Sequence, residues 1–144
     1  MKKLMLLMIV SISIVIFCIM GLLVTLRTNN SEIQKANQEY EYYLGKEILG
    51  TEVTTLINKV INQNEKNEIE KDEKGYYIDN GEDSIKMDLK MITIERTYQM
   101  EDFYNNDINQ FLANFNTVKF KCTGIEYHKK TGKISKITVE QLEY

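Results

Sequence analysis

The sequence predicts an α+β protein: a membrane-spanning helix at the N-terminus, then a long amphipathic helix packed on a roughly four-stranded antiparallel sheet, with one short extra helix. Three observations carry that prediction. From Leu4 to Leu26 the chain contains no charged residue. Apolar residues then recur at helical spacing from Ile33 to Ile61. Beyond Gly75 the apolar period falls to two, as in Ile85, Met87, Leu89 and Met91.

The apolar run contains only Ser11, Ser13, Cys18 and Thr25 as polar side chains. As a helix it would measure roughly 34 Å, against a hydrocarbon core of about 30 Å. A secretory signal has a shorter apolar region, of about 7–15 residues, ending in a small-x-small cleavage pattern. Here the run leads into Val24-Thr25-Leu26-Arg27, without such a site. Residues 1–27 are therefore expected to be an uncleaved anchor whose partner through Leu4–Leu26 is the lipid bilayer. Lys2 and Lys3 precede the span and Arg27 alone follows it closely. The bias of basic residues toward the inner side places the N-terminus in the cytoplasm and residues 32–144 outside the cell membrane.

Arg27 to Tyr144 carries 16 basic and 21 acidic residues, a net charge of −5. Such a domain has no electrostatic reason to bind nucleic acid. Its one cysteine outside the span is Cys122, so an intramolecular disulfide is excluded by count. The chain has no Pro or Trp and is rich in Ile, Lys and Asn, a bias typical of translation from an A+T-rich bacterial genome.

Thr28 to Ser31 reads as a polar joint, residues 28–31, with Ser31 and Gln34 fitting a capping box. Ile33, Ala36, Tyr40, Tyr43, Leu44 and Ile48, then Val53, Leu56, Ile57, Val60 and Ile61, predict a helical region over about 32–63. Gly45 and Gly50 mark where it can bend or break. Residues 63–74 alternate in charge and read as a solvated loop. Asn80-Gly81 between two apolar runs predicts a β-hairpin over about 75–92. A strand end at Thr97–Met100, a short helix over about 107–115 and a second hairpin over about 117–141 complete the domain. Within that hairpin, the phase slip at Gly124 predicts a bulge.

No phosphate loop, nucleophile elbow or zinc spacing occurs, so no catalytic, cofactor-binding or metal-binding residue is assigned and no cofactor is expected. His128 is the single histidine, beside Lys129 and Lys130, and reads as a turn residue. Cys122 falls in phase with Val118 and Phe120 and reads as a buried apolar side chain. The acidic stretch Asp79 to Asp83 lacks the spacing of a calcium loop. Tyr40, Tyr42 and Tyr43 cannot all face one core, and they form the candidate interaction surface for a protein partner or for self-association.

The order of apolar helix, amphipathic helix and sheet resembles the layout of type IV pilins and pseudopilins. Gly50-Thr51-Glu52-Val53-Thr54-Thr55-Leu56-Ile57-Asn58-Lys59 resembles a stretch found in small pilin-like bacterial membrane proteins. The resemblance implies a non-enzymatic structural or accessory role in an envelope assembly, related to a pilus or to secretion. Two features depart from the pilin pattern: Lys3 runs straight into Leu4 with no Gly or Ala processing site, and the span lacks an early Glu. A membrane-anchored module that binds or senses an extracellular ligand is the alternative reading.

Overall fold

The structure is a computed structural model that describes residues 2–105 and 108–143. The chain divides into two compact units, Met1–Lys35 and Ala36–Tyr144.

The first unit consists of the greater part of helix α1 (Lys2–Glu41). It is one helix long and apolar enough to cross a membrane, and its most apolar window is wholly exposed. Its few polar side chains are satisfied within the helix. Ser11 donates to the Met8 carbonyl, Ser13 to Ile9 and Thr25 to Gly21, at 2.9–3.0 Å. Such back-bonding satisfies hydroxyls inside the helix itself, as a hydrocarbon environment requires. Thr28 does the same to Val24 at 3.0 Å. The expected joint at 28–31 is therefore helical, and Ser31 caps nothing, because α1 simply runs through it.

The second unit begins with the last turns of α1. Asn37 and Tyr40 lie one turn apart and are both buried. The helical region expected over 32–63 is broken where the glycines permitted it: α1 ends at Glu41, and residues 42–49 leave the helix to join the sheet. Gly45 adopts φ 75°, which a side chain would resist, and its N–H donates to the Cys122 carbonyl at 2.8 Å. Strand β1 (Glu47–Leu49) then passes directly into helix α2 (Gly50–Lys66). Val53, Leu56, Ile57, Val60 and Ile61 form the buried stripe of α2, each without accessible surface. The helix ends in a Schellman closure: Ile69 N–H reaches the Asn64 carbonyl and Glu68 N–H the Glu65 carbonyl, both at 3.0 Å. The closure uses three residues of the expected loop, and it buries Ile69.

The remaining elements are β2 (Lys86–Met91), a 3₁₀ turn (Ile92–Ile94), β3 (Arg96–Gln99), helices α3 (Met100–Asn105) and α4 (Ile108–Phe115), and strands β4 (Lys119–Tyr127) and β5 (Ile134–Gln141). The expected start of the short helix at Asp107 lies outside the described residues. α3 had no counterpart in the sequence prediction. The β4–β5 hairpin pairs as expected, and a register shift between Cys122 and Gly124 is the bulge predicted there.

Two features of the sheet correct the prediction. It has five strands in the order β1-β4-β5-β2-β3, and it is mixed, because β2 and β5 pair in parallel. The hairpin over 75–92 does not form. Only β2 from that region is a strand, while Tyr77 makes an isolated bridge to Lys71. The Asn80 side chain explains the failure. Its Oδ1 accepts the N–H groups of Glu82, Asp83 and Ser84 at 3.0–3.1 Å, which curls the segment into a loop and not a two-residue turn.

Candidate functional site

The three tyrosines singled out by sequence part company. Tyr40 is 5% exposed and belongs to the core, while Tyr43 is half-buried against it. Tyr42 is 62% exposed, because it follows the end of α1 and lies off the Asn37–Tyr40 face. Its ring meets Tyr43 edge-on at 5.4 Å, and Lys46 Nζ stands 3.2 Å from its centroid. Leu44 and Leu49, on the same connecting segment, are exposed as well.

Two other surfaces are organised by their own polar contacts. The end of β1, an edge strand, is capped: Leu49 N–H donates to Glu52 Oε2 at 2.9 Å. β3, the opposite edge, ends the same way, with Gln99 N–H donating to Asp102 Oδ2 at 2.8 Å. Each edge strand is short and hands its last N–H to an acidic side chain of the helix that follows, which leaves less of either edge to an added strand. The sheet face away from the core is compensated in charge. Register places Glu47, Lys121, Glu140, Lys90 and Thr97 in one row across all five strands. A neighbouring pair, Lys136 and Asp88, is bridged at 2.7 Å. Opposite charges on adjacent strands support the register.

The reactive residue types lie elsewhere. His128 is buried, and its Nε2 lies 2.8 Å from the Ser84 carbonyl oxygen, so Nε2 carries the donating hydrogen. Its Nδ1 is 4.0 Å from Asp79 Oδ1. Ser84 Oγ donates to that same Asp79 oxygen at 2.9 Å. Ser, His and Asp thus converge, but in the wrong order for nucleophilic catalysis. The hydroxyl meets the carboxylate and the imidazole meets a main-chain carbonyl, with no hydroxyl–imidazole bond to activate a nucleophile. The Gly81 N–H and the Ser84 hydroxyl hold the Asp79 carboxyl below its usual range, helped by the charges of His128 and Lys86. The cluster joins two loops. Around it, Thr131 Oγ1 donates to the Glu82 carbonyl at 2.5 Å, Lys133 Nζ reaches Asp83 at 3.4 Å and Lys130 pairs with Glu82.

Cys122 is fully buried, and burial pushes its thiol up, away from the reactive thiolate. Glu101 is also buried, which raises its carboxyl, and it accepts the Tyr77 N–H at 3.2 Å. Among the described residues no group of three or more His, Cys, Asp or Glu side chains is arranged to hold a metal ion. A shallow depression of about 300 Å³ lies at the β2–β3 corner, lined by Lys90, Met91, Ile92, Glu95, Arg96 and Thr97.

The chain matches no family model, no curated protein and no solved structure. The site therefore rests on its own geometry.

Sequence reasoning missed two buried amides that organise the second unit. Asn37 Nδ2 donates to the Gly132 carbonyl at 2.9 Å, and its Oδ1 accepts the Ile134 N–H at 3.1 Å. Asn64 makes the same double contact with Ile85. A signal was available, since both asparagines fall in phase with the apolar stripes of their helices, at Ile33–Asn37–Tyr40 and Val60–Asn64. A polar side chain at a core position needs a partner, and here each finds a main-chain peptide.

Proposed function

We propose that the chain is a non-enzymatic, single-pass protein of the bacterial cell membrane, a structural or accessory component of an envelope assembly of the pilin-like kind. In this reading the N-terminus is cytoplasmic and the unit Ala36–Tyr144 lies outside the membrane. The observation that carries it is where unsatisfied surface lies. Among the described residues every buried side-chain polar atom has a hydrogen-bond partner, whereas the Leu4–Leu26 stretch is apolar and uncovered. Surface of that kind marks contact with lipid or with other helices. Tyr42, with Leu44 and Leu49 beside it in the chain, supplies the protein-facing contact outside the bilayer, by the preference of interfaces for tyrosine.

The test is crosslinking in native membranes from a photoreactive residue at position 42, combined with protease access from each side. Discrete crosslinked species and cleavage from the outer side alone are expected. A chain recovered only as an uncrosslinked monomer, or one degraded from the cytoplasmic side, would overturn the proposal. The alternative, an anchored ligand-binding module, draws on the depression beside Lys90, Glu95 and Arg96, which a small charged ligand would fit.

A further inference from the structure

The pair Asn80-Gly81 is chemically the weakest point in this sequence. Asn followed by Gly is prone to deamidation, because glycine lets its own backbone nitrogen approach the preceding side chain. In that reaction the Gly81 nitrogen loses its proton and attacks Asn80 Cγ. A C–N bond forms, ammonia leaves from the side chain, and a five-membered succinimide results. Water then opens the ring at either carbonyl, giving aspartate or isoaspartate.

We infer that the Asp79–Ser84 loop is a lock that keeps Asn80 from deamidating while the chain is folded. Two contacts oppose the first step, one on the attacking nitrogen and one on the side-chain amide. The Gly81 N–H donates to Asp79 Oδ1 at 2.8 Å, so the attacking nitrogen is turned toward a carboxylate and away from an open approach. That carboxylate is negative, and it disfavours the anion the nitrogen must become. The side chain under attack is held at both ends. Asn80 Oδ1 takes the N–H groups of Glu82, Asp83 and Ser84, and its Nδ2 donates to Asp83 Oδ1 at 2.8 Å. Oδ1 contacts of this kind polarise the carbonyl and would by themselves favour attack. On this inference the Gly81 N–H contact outweighs them, since turning the nitrogen toward Cγ gives up its bond to Asp79.

The loop has reason to be locked. Its main chain is gripped from two sides: Asn67 Nδ2 donates to the Asp83 carbonyl at 2.9 Å, and Asn64 holds Ile85. On the other side His128 holds the Ser84 carbonyl. Isoaspartate would insert an extra methylene into the backbone at residue 80 and shift these contacts out of register. Aspartate would place a third carboxylate beside Asp79 and Asp83.

The experiment incubates the full chain in detergent micelles at mildly alkaline pH, folded and in parallel unfolded in urea. Peptide mapping by mass spectrometry then follows the conversion at position 80. The folded chain should convert about tenfold more slowly or better, as expected when one charge-assisted hydrogen bond must break before attack. Asp79→Ala should recover most of the unfolded rate while far-UV circular dichroism stays unchanged, and Asp79→Asn, which keeps an acceptor, should fall between. Equal rates in the folded and unfolded wild-type chain would overturn the inference, whatever the variants do. A folded Asp79→Ala chain that converts no faster than the wild type would remove Asp79 from it.

Discussion

The side chain of Asn64 reads the backbone of Ile85 as a neighbouring strand would, donating from Nδ2 to its carbonyl at 2.7 Å and accepting its N–H at 2.8 Å. Asn64 is fully buried, and the contact joins the last turns of α2 to the residue before β2. Replacement by Leu should cost about 2–4 kcal/mol, since it strands a buried donor and a buried acceptor together. Urea unfolding of the chain in detergent measures this. A loss below half a kcal/mol would show that water replaces the amide.

Gly50 allows no side chain. A Cβ there would lie 1.9 Å from the Phe115 carbonyl oxygen and 2.7 Å from its carbon. Gly50→Ala should therefore force α2 and α4 apart and destabilise by about 2–3 kcal/mol. Glu68 is the opposite case, a side chain at φ 55° where a helix closure favours glycine. Glu68→Gly should stabilise by roughly 0.5–1 kcal/mol, the relief of the left-handed strain less the extra entropy of glycine. Opposite shifts in urea midpoint are the expected readout, and shifts of the same sign would contradict it.

Glu52 should protect the sheet edge at β1. Glu52→Ala exposes the Leu49 N–H and should cost about 1 kcal/mol, the usual worth of a helix cap, while increasing self-association. Glu52→Gln keeps an acceptor in place and should restore most of both properties. Sedimentation velocity and urea midpoints compare the three chains, and identical behaviour of Ala and Gln variants would exclude a capping role.

Two phenols should titrate late. Burial, reinforced by Glu39, pushes Tyr40 up to about 12, and burial with Glu65 does the same for Tyr77, against an ordinary value of 10.0. Both folded values lie above the unfolded one, so the folded state favours the neutral phenol. That contribution is complete below pH 10 and is lost as pH rises from 10 towards 12. Phenolate absorbance during an alkaline titration should show these two steps last, with Tyr40→Phe removing one. Complete ionisation near pH 10 with the fold intact by circular dichroism would refute the assignment.

The failed hairpin shows where local reading stops. Asn80-Gly81 is a strong turn signal, and alternation from Ile85 to Met91 does mark a strand. Alternation, however, states which side chains face inward and not which strand lies alongside. The β2 pattern is satisfied equally by an antiparallel partner before it or a parallel partner after it. The chain takes the second, setting Leu89 beside Val139, because Tyr77 is drawn off by Lys71 and Glu101. The tyrosine surface divided for a related reason. Helical spacing groups Tyr40 with Tyr43, but only the end of α1 at Glu41 leaves Tyr42 in solvent.

The apolar helix, the buried stripe of α2, the β4–β5 hairpin and the Gly124 bulge were all determined by the sequence alone. Each depends on periodicity, or on one residue's conformational freedom within a few neighbours. Tertiary structure alone decided the parallel β2–β5 pairing and the grips of Asn37 and Asn64 on distant peptides. Those features depend on which of several locally equivalent partners satisfies a buried polar group. That choice is made between residues far apart in the chain, which no local pattern can express.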